Sequence, residues 1–501
     1  MVLGTGSDVG KSLTVAALCR ILRQEGYNVA PFKAQNMALN SFATIEGHEI
    51  GRAQAMQAQA AGIEPHVDMN PILLKPTSDV GSQVILNGKV LGNYRGVDYY
   101  ELKNRLLEVT GAYMRLASRH DVIVLEGAGS PVEINLKDRD VVNLRMAEIA
   151  NATCMLVADI DRGGVFASLT GTYSLLEPAE RARFCGFLIN KFRGDAGLFT
   201  SGIDYLEEKL VQPCLGVIPY LHNHGIDDED SVSLERRAVM PPNISKDNLS
   251  ICVVGFPYLS NFTDFTALEQ QPNVVVYYTR RSDDARFADV LILPGSKNTI
   301  SDLLWLKQNG WTTAIENHVG AGKPLLGICG GFQMLGNEIR DPHRTESDIE
   351  ATPGLGILNV ETSLAREKTT RQAVAHLYDS ALITNGENAE FTGYEIHLGE
   401  TSLGEDVRPL FRVQRVGEDE VHMEGAVGHD GKVLGTYLHG LFDSADGLAW
   451  ILNYWRRICG KDPVQKIIDP KAERERRYDA LAHHFRQHLK LDIIYRALGN
   501  I

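Results

Sequence analysis

A chain of 501 residues, of which 44% are hydrophobic and 23% charged, can bury more than one core, which predicts a globular protein of about two or three domains. Its formal net charge of -14, without any long block of Lys or Arg, argues against nucleic acid as a partner. No apolar run approaches the roughly 20 residues of a membrane helix and the N-terminus lacks a basic-then-apolar signal, so we expect no membrane association and a cytoplasmic location. The seven cysteines include no C-x-x-C pair, which argues against a disulfide scaffold or a zinc site.

The N-terminal part of the chain, from Met1 to about Ile218, alternates short apolar runs with helical stretches. The runs are NVAPF, DVIVLEG, CMLVAD, CGFLIN and CLGVIP. Such alternation is typical of an α/β domain with a doubly wound, mostly parallel sheet, which we predict over residues 1–230. Because only Met1 to Leu3 precede the first glycine-rich loop, the first strand is either very short or begins upstream of Met1.

A polar stretch separates this domain from a second one. We interpret residues 231–248 as a linker, because they carry the charged LERR, the pair Pro241-Pro242 and the polar NISKDN. The runs LSICVVGF, VVVYY, DVLILPGS and PLLGIC then predict a second α/β domain over residues 249–446. Residues 447–501 show helical periodicity with many Arg and His, which predicts a helical tail packed on one of the two domains.

The stretch GTGSDVGKS, Gly4 to Ser12, stands between the first apolar residues and a helix with regular apolar spacing. Exposed backbone N–H groups and the helix dipole converge in such a loop, and a lysine adds a positive charge, so it suits phosphate binding. Thr5 stands where the strict G-x-x-x-x-G-K-[ST] pattern has a glycine, and the alternative is a glycine turn with a chance Lys-Ser pair. The candidate ATP ligands in this loop are Thr5, Gly6, Gly10, Lys11 and Ser12, with Ser12 also a candidate ligand of Mg²⁺.

Two further strand ends carry polar residues that could complete a nucleotide site. In DVIVLEGAGS an apolar strand delivers Glu126 to its C-terminal end, where a second Mg²⁺-directed carboxylate belongs in an open α/β sheet. A solvated glutamate at a strand end is the alternative. In LINKFRG the amide of Asn190 could contact an adenine edge, although a turn-forming asparagine is also consistent with the pattern.

The stretch PLLGICGGFQML places Cys329 in a G-x-C-x-G turn between a strand and a helix, which is typical of a nucleophile elbow. A helix N-terminus favours the thiolate form. His439 in GTYLHGLF is the candidate base, because it follows an apolar run that ends in a glycine turn. The candidate oxyanion donors are the backbone N–H groups of Gly295 and Ser296, in LPGSKNT, and of Gly330.

These groups together predict a thiol site for acyl transfer, with a core-filling cysteine and a structural histidine as the alternatives. Hydrolysis of the glutamine amide through a glutamyl thioester is one reaction that suits such a site. A papain-like protease would use similar groups but would not need a phosphate loop.

The motifs GICGGFQMLG, LPGSKNT and GTYLHGLF resemble the class I glutamine amidotransferase domain, and GTGSDVGKS, PFKAQNMALNS, VADIDRGGVFASL and INKFRGD resemble the cobyric acid synthase family. The resemblance implies an enzyme of cobalamin biosynthesis that uses ATP and glutamine to amidate the b, d, e and g carboxylates of adenosylcobyrinic acid a,c-diamide. It also implies an N-terminal fold like dethiobiotin synthetase, with ATP and Mg²⁺ held by Lys11, Ser12 and Glu126. Ammonia released at Cys329 would then displace phosphate from a carboxyl phosphate.

One position departs from the wider amidotransferase class. The usual H-x-E ending is here His439-Gly440-Leu441, so no carboxylate stands at that place. We therefore predict a Cys329–His439 dyad. An imidazole without an orienting carboxylate is a less reliable base, so a slow or substrate-gated glutaminase is expected.

The acceptor site is the least determined by the sequence. The candidates for contact with substrate or phosphate are Lys33, Gln35, Asn36, Asp159, Asp161 and Arg162, and each could instead form a turn or a structural ion pair. The expected partners are small molecules, a corrinoid and glutamine, and a homo-oligomer is left open. Two alternative functions remain: a related amidoligase acting on the a,c carboxylates or on a cell-wall precursor, and a P-loop switch ATPase carrying a relic amidotransferase module.

Overall fold

The structure is a computed structural model that describes residues 1–77, 81–95, 98–99, 105–222, 224–226, 245–379, 381–383 and 389–499. An α/β core is present in each half of the chain, as predicted. Most of the predicted linker, residues 231–244, lies outside the described residues. Within the described ranges, no helix is both long enough and apolar enough to cross a bilayer.

Strands and helices alternate along the N-terminal half. The strands are β1 (Val2–Gly4), β2 (Val29–Phe32), β3 (Gln35–Met37), β4 (Ser41–Ala43), β5 (Glu49–Gly51), β6 (Ile72–Pro76), β7 (Gly81–Leu86), β8 (Lys89–Arg95), β9 (Val122–Leu125), β10 (Cys154–Asp159), β11 (Phe184–Phe192) and β12 (Cys214–Pro219). The helices are α1 (Lys11–Gln24), α2 (Arg52–Ala61), α3 (Arg105–Ala117), α4 (Leu144–Ile149), α5 (Val165–Leu175), α6 (Pro178–Arg181) and α7 (Thr200–Leu210).

Parallel strands form the central layer of the N-terminal domain. β1 pairs with β10, β10 with β11 and β11 with β12, all in parallel. β2 pairs in parallel with β9, and a parallel bridge between Val2 and Glu126 brings this pair beside β1. These strands are buried and read as continuous apolar runs, which is typical of a parallel sheet covered on both faces.

Two small sheets extend from this domain. β3, β6, β7 and β8 form one, in which only β3 and β6 run in parallel. β4 and β5 form an antiparallel pair. Several of these strands have only three residues, so they carry no readable alternation and sequence analysis did not predict them. Ser41 of β4 and Lys75 of β6 face the second domain, which places this extension at the domain interface.

The C-terminal half has longer strands and ends in helices. The strands are β13 (Leu249–Val254), β14 (Val274–Thr279), β15 (Val290–Leu293), β16 (Leu325–Ile328), β17 (Glu338–Arg340), β18 (Ala351–Pro353), β19 (Val360–Leu377), β20 (Glu390–Leu403), β21 (Phe411–Arg415), β22 (Val421–Glu424), β23 (Ala426–Gly428), β24 (Val433–Thr436) and β25 (Leu438–His439). The helices are α8 (Thr266–Glu269), α9 (Thr299–Gln308), α10 (Trp311–Gly320), α11 (Gly330–Leu335), α12 (Ala445–Ile458), α13 (Pro470–His488) and α14 (Leu491–Leu498).

The second domain combines a parallel sheet with an antiparallel one. The first sheet has the order β14-β13-β15-β16-β24-β23, and its strands are parallel except for β23. In the other sheet the long β19–β20 hairpin is antiparallel, and β25 pairs with β20 so that His439 lies opposite Tyr394. The two sheets therefore meet where β24 leads into β25, close to the end of β16.

The helical tail contacts both domains, whereas the sequence predicted that it would pack on one. α12 is part of the core of the second domain, with Trp455 only 1% exposed. α13 packs on the N-terminal domain, where Tyr478 joins the core around α1. Arg20 of α1 pairs with Glu475 at 2.8 Å and with Asp479 at 2.7 Å. One amphipathic segment can supply apolar faces to two cores, which helical periodicity alone does not indicate.

Candidate active sites

Cys329 occupies the tight turn between β16 and α11. Its backbone has φ 51°, a left-handed conformation that is uncommon for a residue with a side chain and typical of a nucleophile elbow. The neighbouring glycines make the turn possible, because a Cβ on Gly331 would lie 2.0 Å from the carbonyl oxygen of Leu293. The predicted elbow geometry is therefore present, and the buried Cys329 lines a cavity.

His439 lies at the end of β25 and lines the same cavity as Cys329. Its Nδ1 donates to Oδ2 of Asp264 at 2.7 Å, and Oδ1 of Asp264 accepts from the Gly440 N–H at 3.1 Å. Burial alone would lower the pKa of His439, but the charge of Asp264, the hydrogen bond with Asp264 and the nearby Cys329 raise that pKa to about 10. The imidazole is thus fixed in orientation and stabilised in its protonated form.

The prediction of a dyad without an orienting carboxylate is wrong. Leu441 does stand where the H-x-E pattern has glutamate, but the carboxylate comes from Asp264, 175 residues before His439 in the chain. Asp264 lies in a buried 3-10 turn, Phe262–Phe265. The stretch SNFTDFTAL is the sequence signal that could have found it, but only the fold shows that this turn reaches His439.

The predicted oxyanion loop packs against the elbow. A Cβ on Gly330 would lie 3.0 Å from the backbone nitrogen of Ser296, and a Cβ on Gly295 would lie 3.2 Å from Cε1 of His439. The Ser296 hydroxyl donates to Oδ2 of the buried Asp302 at 2.5 Å, which fixes the loop. The three backbone groups are therefore brought together at the elbow, and their action as an oxyanion hole stays a prediction.

The phosphate loop brings its lysine and serine to the carboxyl end of the central sheet. Lys11 Nζ donates to the carbonyl oxygens of Gly6 at 2.7 Å and of Gly129 at 3.2 Å. Ser12 Oγ donates to Oε1 of Glu126 at 2.8 Å. Ser12 and Glu126, 114 residues apart in the chain, are thus adjacent, as their placement on the sheet predicts.

Asn190 contacts the phosphate loop directly. Its Nδ2 donates to the carbonyl oxygen of Val9 at 2.9 Å, and a Cβ on Gly10 would lie 2.1 Å from the same nitrogen. Gly10 has φ 99°, so glycine meets both the backbone conformation and the close approach. The Thr5 N–H donates to the carbonyl oxygen of Val157 at 2.9 Å, which ties the loop to β10. Contact of Asn190 with an adenine edge stays a prediction, and the observed role is to hold the loop.

Two of the candidate contact residues in DIDRGG lie at the phosphate loop. Arg162 pairs with Asp8 of the loop at 3.0 Å, and Asp159 lies 3.8 Å from the same guanidinium. Asp161 instead pairs with Arg193 at 2.6 Å. These are structural ion pairs of the kind left open above, and their contact with substrate or phosphate stays a prediction.

The remaining candidates for substrate contact are Lys33, which lies just before β3, and Gln35 and Asn36 on β3. Of these candidates, only Lys33 contacts the Glu126 carboxylate. Lys33 Nζ donates to Oε1 of Glu126 at 3.0 Å in a fully buried pair. Gln35 accepts a hydrogen bond from the hydroxyl of Tyr99. Asn36 is buried. Lys33 therefore belongs to the phosphate site, while Gln35 and Asn36 lie on the strand that leads away from it.

The oxygen atoms at Glu126 fit a magnesium ion. A serine hydroxyl beside one carboxylate is a donor set that Mg²⁺ uses when it also binds substrate phosphates. Among the described residues no cluster of three or more His, Cys, Asp or Glu could hold a metal. Binding of Mg²⁺ at Ser12 and Glu126 stays a prediction.

Comparison with known proteins connects both sites to one family. Residues 1–230 match the CobQ/CobB/MinD/ParA nucleotide binding domain, and residues 250–447 match the CobB/CobQ-like glutamine amidotransferase domain. The chain is 49% identical over 506 residues to a cobyric acid synthase of Syntrophobacter fumaroxidans, covering 100% of this chain and 98% of the relative. The chain belongs to the cobyric acid synthase family.

Other members of the cobyric acid synthase family match equally completely. One from Photorhabdus laumondii subsp. laumondii is 48% identical over 503 residues, covering 99% of this chain and 97% of the relative. A crystal structure of a glutamine amidotransferase matches with a TM-score of 0.29 and 17% identity, over 42% of this chain and 98% of that chain. The two family models and the full-length relatives confirm the family resemblance and the α/β fold class inferred from the motifs.

Proposed function

We propose that this protein is an ATP-using, glutamine-dependent amidoligase of cobalamin biosynthesis that converts the b, d, e and g carboxylates of adenosylcobyrinic acid a,c-diamide into amides. One observation carries the proposal. A Cys329–His439–Asp264 site and a phosphate loop stand on one chain that matches cobyric acid synthases from end to end.

The thiol site would produce ammonia. The Cys329 thiolate attacks the side-chain amide carbon of glutamine, and the His439 imidazolium gives its proton to the departing nitrogen, so that ammonia leaves and a glutamyl thioester forms. His439 then takes a proton from the water that cleaves the thioester, which releases glutamate and restores the thiolate. Asp264 keeps Nδ1 engaged throughout, so that Nε2 faces the reacting atoms.

The phosphate loop would activate the acceptor. An oxygen of the acceptor carboxylate attacks the γ-phosphorus of ATP, and ADP leaves. Ammonia then attacks the carbonyl carbon of the carboxyl phosphate, inorganic phosphate leaves, and the ammonium nitrogen loses a proton to give the amide. Lys11 and the loop N–H groups neutralise phosphate charge. Ser12 and Glu126 would hold Mg²⁺, which supplies further positive charge to the phosphate oxygens when bound.

The alternatives are less well supported. A switch ATPase with a relic amidotransferase module would not need a cysteine, histidine and aspartate assembled in one buried site. With a different acceptor, such as the a,c carboxylates or a cell-wall precursor, the same ATP-dependent amidation would take place on another molecule or at other positions. The full-length relatives favour the corrinoid a,c-diamide over that acceptor, because they share one name, cobyric acid synthase.

Product analysis tests the proposal. Incubation with ATP, Mg²⁺, glutamine and adenosylcobyrinic acid a,c-diamide should yield ADP, phosphate, glutamate and a corrinoid that gains amides stepwise, measured by mass spectrometry. C329A should abolish synthesis from glutamine but keep synthesis from free ammonia, because the two sites are separate. An unchanged corrinoid in the complete mixture, or loss of both syntheses in well-folded C329A, would contradict the proposal.

A further inference from the structure

The start of β4, in the N-terminal domain, contacts the turn that carries Asp264. The Phe262 N–H donates to Oδ1 of Asn40 at 3.3 Å, and the Ser41 N–H donates to Oδ1 of Asn261 at 3.1 Å. These residues are buried, so water does not replace either bond. The turn is a single 3-10 segment of four residues that leads directly into α8, and these two hydrogen bonds add to the burial of Phe262 and Phe265 in holding it.

The same strand contacts the aromatic ring that covers His439. The ring of Tyr394 stacks on the imidazole, with centroids 5.5 Å apart and planes 17° apart. The Tyr394 hydroxyl donates to the carbonyl oxygen of Ser41 at 3.4 Å, and the ring of Phe42 lies 5.1 Å from that of Tyr394. Two partners of His439 are therefore held by adjacent residues of the N-terminal domain. Asn40 and Ser41 contact the turn that carries Asp264, and Ser41 also contacts Tyr394.

The N-terminal domain also forms part of the cavity that contains the thiol. Lys75 lines this cavity together with Cys329. Lys75 Nζ donates to Ser41 Oγ at 2.9 Å and to Glu49 at 2.8 Å, and Glu49 pairs across the interface with Lys368 at 2.6 Å. A buried charge network thus holds β4 against the cavity, so that a shift of the N-terminal domain would change its wall.

We propose that Asn40, a residue of the N-terminal domain, is a positioning residue for the glutaminase because its side chain holds the turn that carries Asp264. The inference rests on the proposed function of Cys329. Loss of the Asn40 oxygen leaves the buried N–H of Phe262 without this acceptor, so the turn moves and Asp264 no longer aligns His439. Asn40 lies seven positions after Lys33, which contacts Glu126, so a short stretch of chain connects the phosphate site with the triad.

Full-length N40A tests the proposal. The kcat for glutamate release should fall about 10- to 100-fold, because small displacements of an aligned catalytic group cost that much, while the KM for glutamine changes less. Ammonia-driven amidation should stay within about twofold of the unmodified protein, since the phosphate site is not altered. Asp264 and Cys329 act most strongly on the pKa of His439, and the other titratable groups that line the same cavity are Lys75, Lys297, Glu346, Lys368 and His397. A displaced Asp264 should move the alkaline limb of kcat/KM to lower pH.

Two further variants make the outcome specific. Q372A removes a different interdomain hydrogen bond, from Gln372 Nε2 to the Ala43 carbonyl oxygen at 3.0 Å, and should leave glutamate release unchanged. N40D keeps an acceptor oxygen and should recover most of the kcat. A normal kcat and pH profile in N40A would overturn the inference, and so would an equal loss with ammonia or an equal loss in Q372A. Continued glutamine hydrolysis by C329A would instead overturn the proposed function.

Discussion

Asp264 is the partner that stabilises the protonated form of the buried His439 imidazole and fixes its orientation. Without it, burial would keep His439 neutral and free to turn, and a neutral imidazole cannot give a proton to the departing ammonia. With it, the imidazolium is stabilised and Nδ1 is engaged. A glutamate in the H-x-E pattern is therefore not the only way to place a carboxylate beside the histidine. In this protein Asp264 takes that place, so Cys329 and His439 do not form a dyad.

D264N should lower kcat for glutamate release by about 100- to 10,000-fold, because an amide cannot stabilise the imidazolium and favours the wrong tautomer. Since Asp264 raises the pKa of His439, its removal should let the imidazolium lose its proton at lower pH. The alkaline limb of kcat/KM should therefore shift towards neutral pH. Glutamate release measured against pH checks this, with ammonia-driven amidation as the control that should not change.

At the scale of elements, the phosphate loop works as a junction between β1, α1 and β11. Gly10 begins this junction with a positive φ, and Asn190 at the end of β11 approaches so closely that a side chain would collide. The Asn190 side-chain amide thus holds the loop on the side of β11, and the backbone conformation of Gly10 fixes it where α1 begins. Its shape is set before nucleotide arrives, which reduces the entropy lost on binding.

G10A should raise the KM for ATP at least about 10-fold, because its Cβ would push Asn190 away and distort the loop. G26A is the matched control. Gly26 also has a positive φ, 93°, but a Cβ there meets no atom within 4 Å and lies at the far end of α1. G26A should lower thermal stability slightly and leave the KM for ATP unchanged. Equal KM values for the two variants would contradict the claim that the close approach of Gly10 and Asn190 shapes the loop.

At the scale of the whole molecule, the helical tail joins the two domains. α12 fills the second core and α13 packs against α1 of the first. The ion pairs of Arg20 add to this contact, but their acidic partners are about half exposed and contribute little. Apolar burial around Tyr478 is therefore the main stabilising term at this contact.

Y478A should destabilise the N-terminal domain by about 3–5 kcal/mol, since Tyr478 is 1% exposed and its removal opens a cavity against α1. Y205A, at a position 54% exposed, should cost less than about 1 kcal/mol. Thermal unfolding followed by circular dichroism compares the two. Similar shifts in the first transition would show that the tail does not stabilise this domain.

Prediction from sequence succeeded where chemistry lies in one continuous motif. The elbow of Cys329, the phosphate loop and the parallel strands of both domains are local patterns, because a strand, a glycine turn and a helix follow each other in the chain. It failed where partners come from distant segments. Asp264 lies in a short 3-10 turn, Asn40 directly precedes a three-residue strand, and two different helices of the tail contact the two domains.

The sequence by itself determined the family and the local form of the cysteine elbow and the glycine-rich loop, since residue types at fixed spacing are sufficient for both turns. The chemistry of the two turns stays a proposal. Only the tertiary structure decided that the thiol site is a triad and that the N-terminal domain borders it. The physical reason is that hydrogen bonds and charges act through space over a few ångströms. The chain must fold before residues far apart in sequence come within that range.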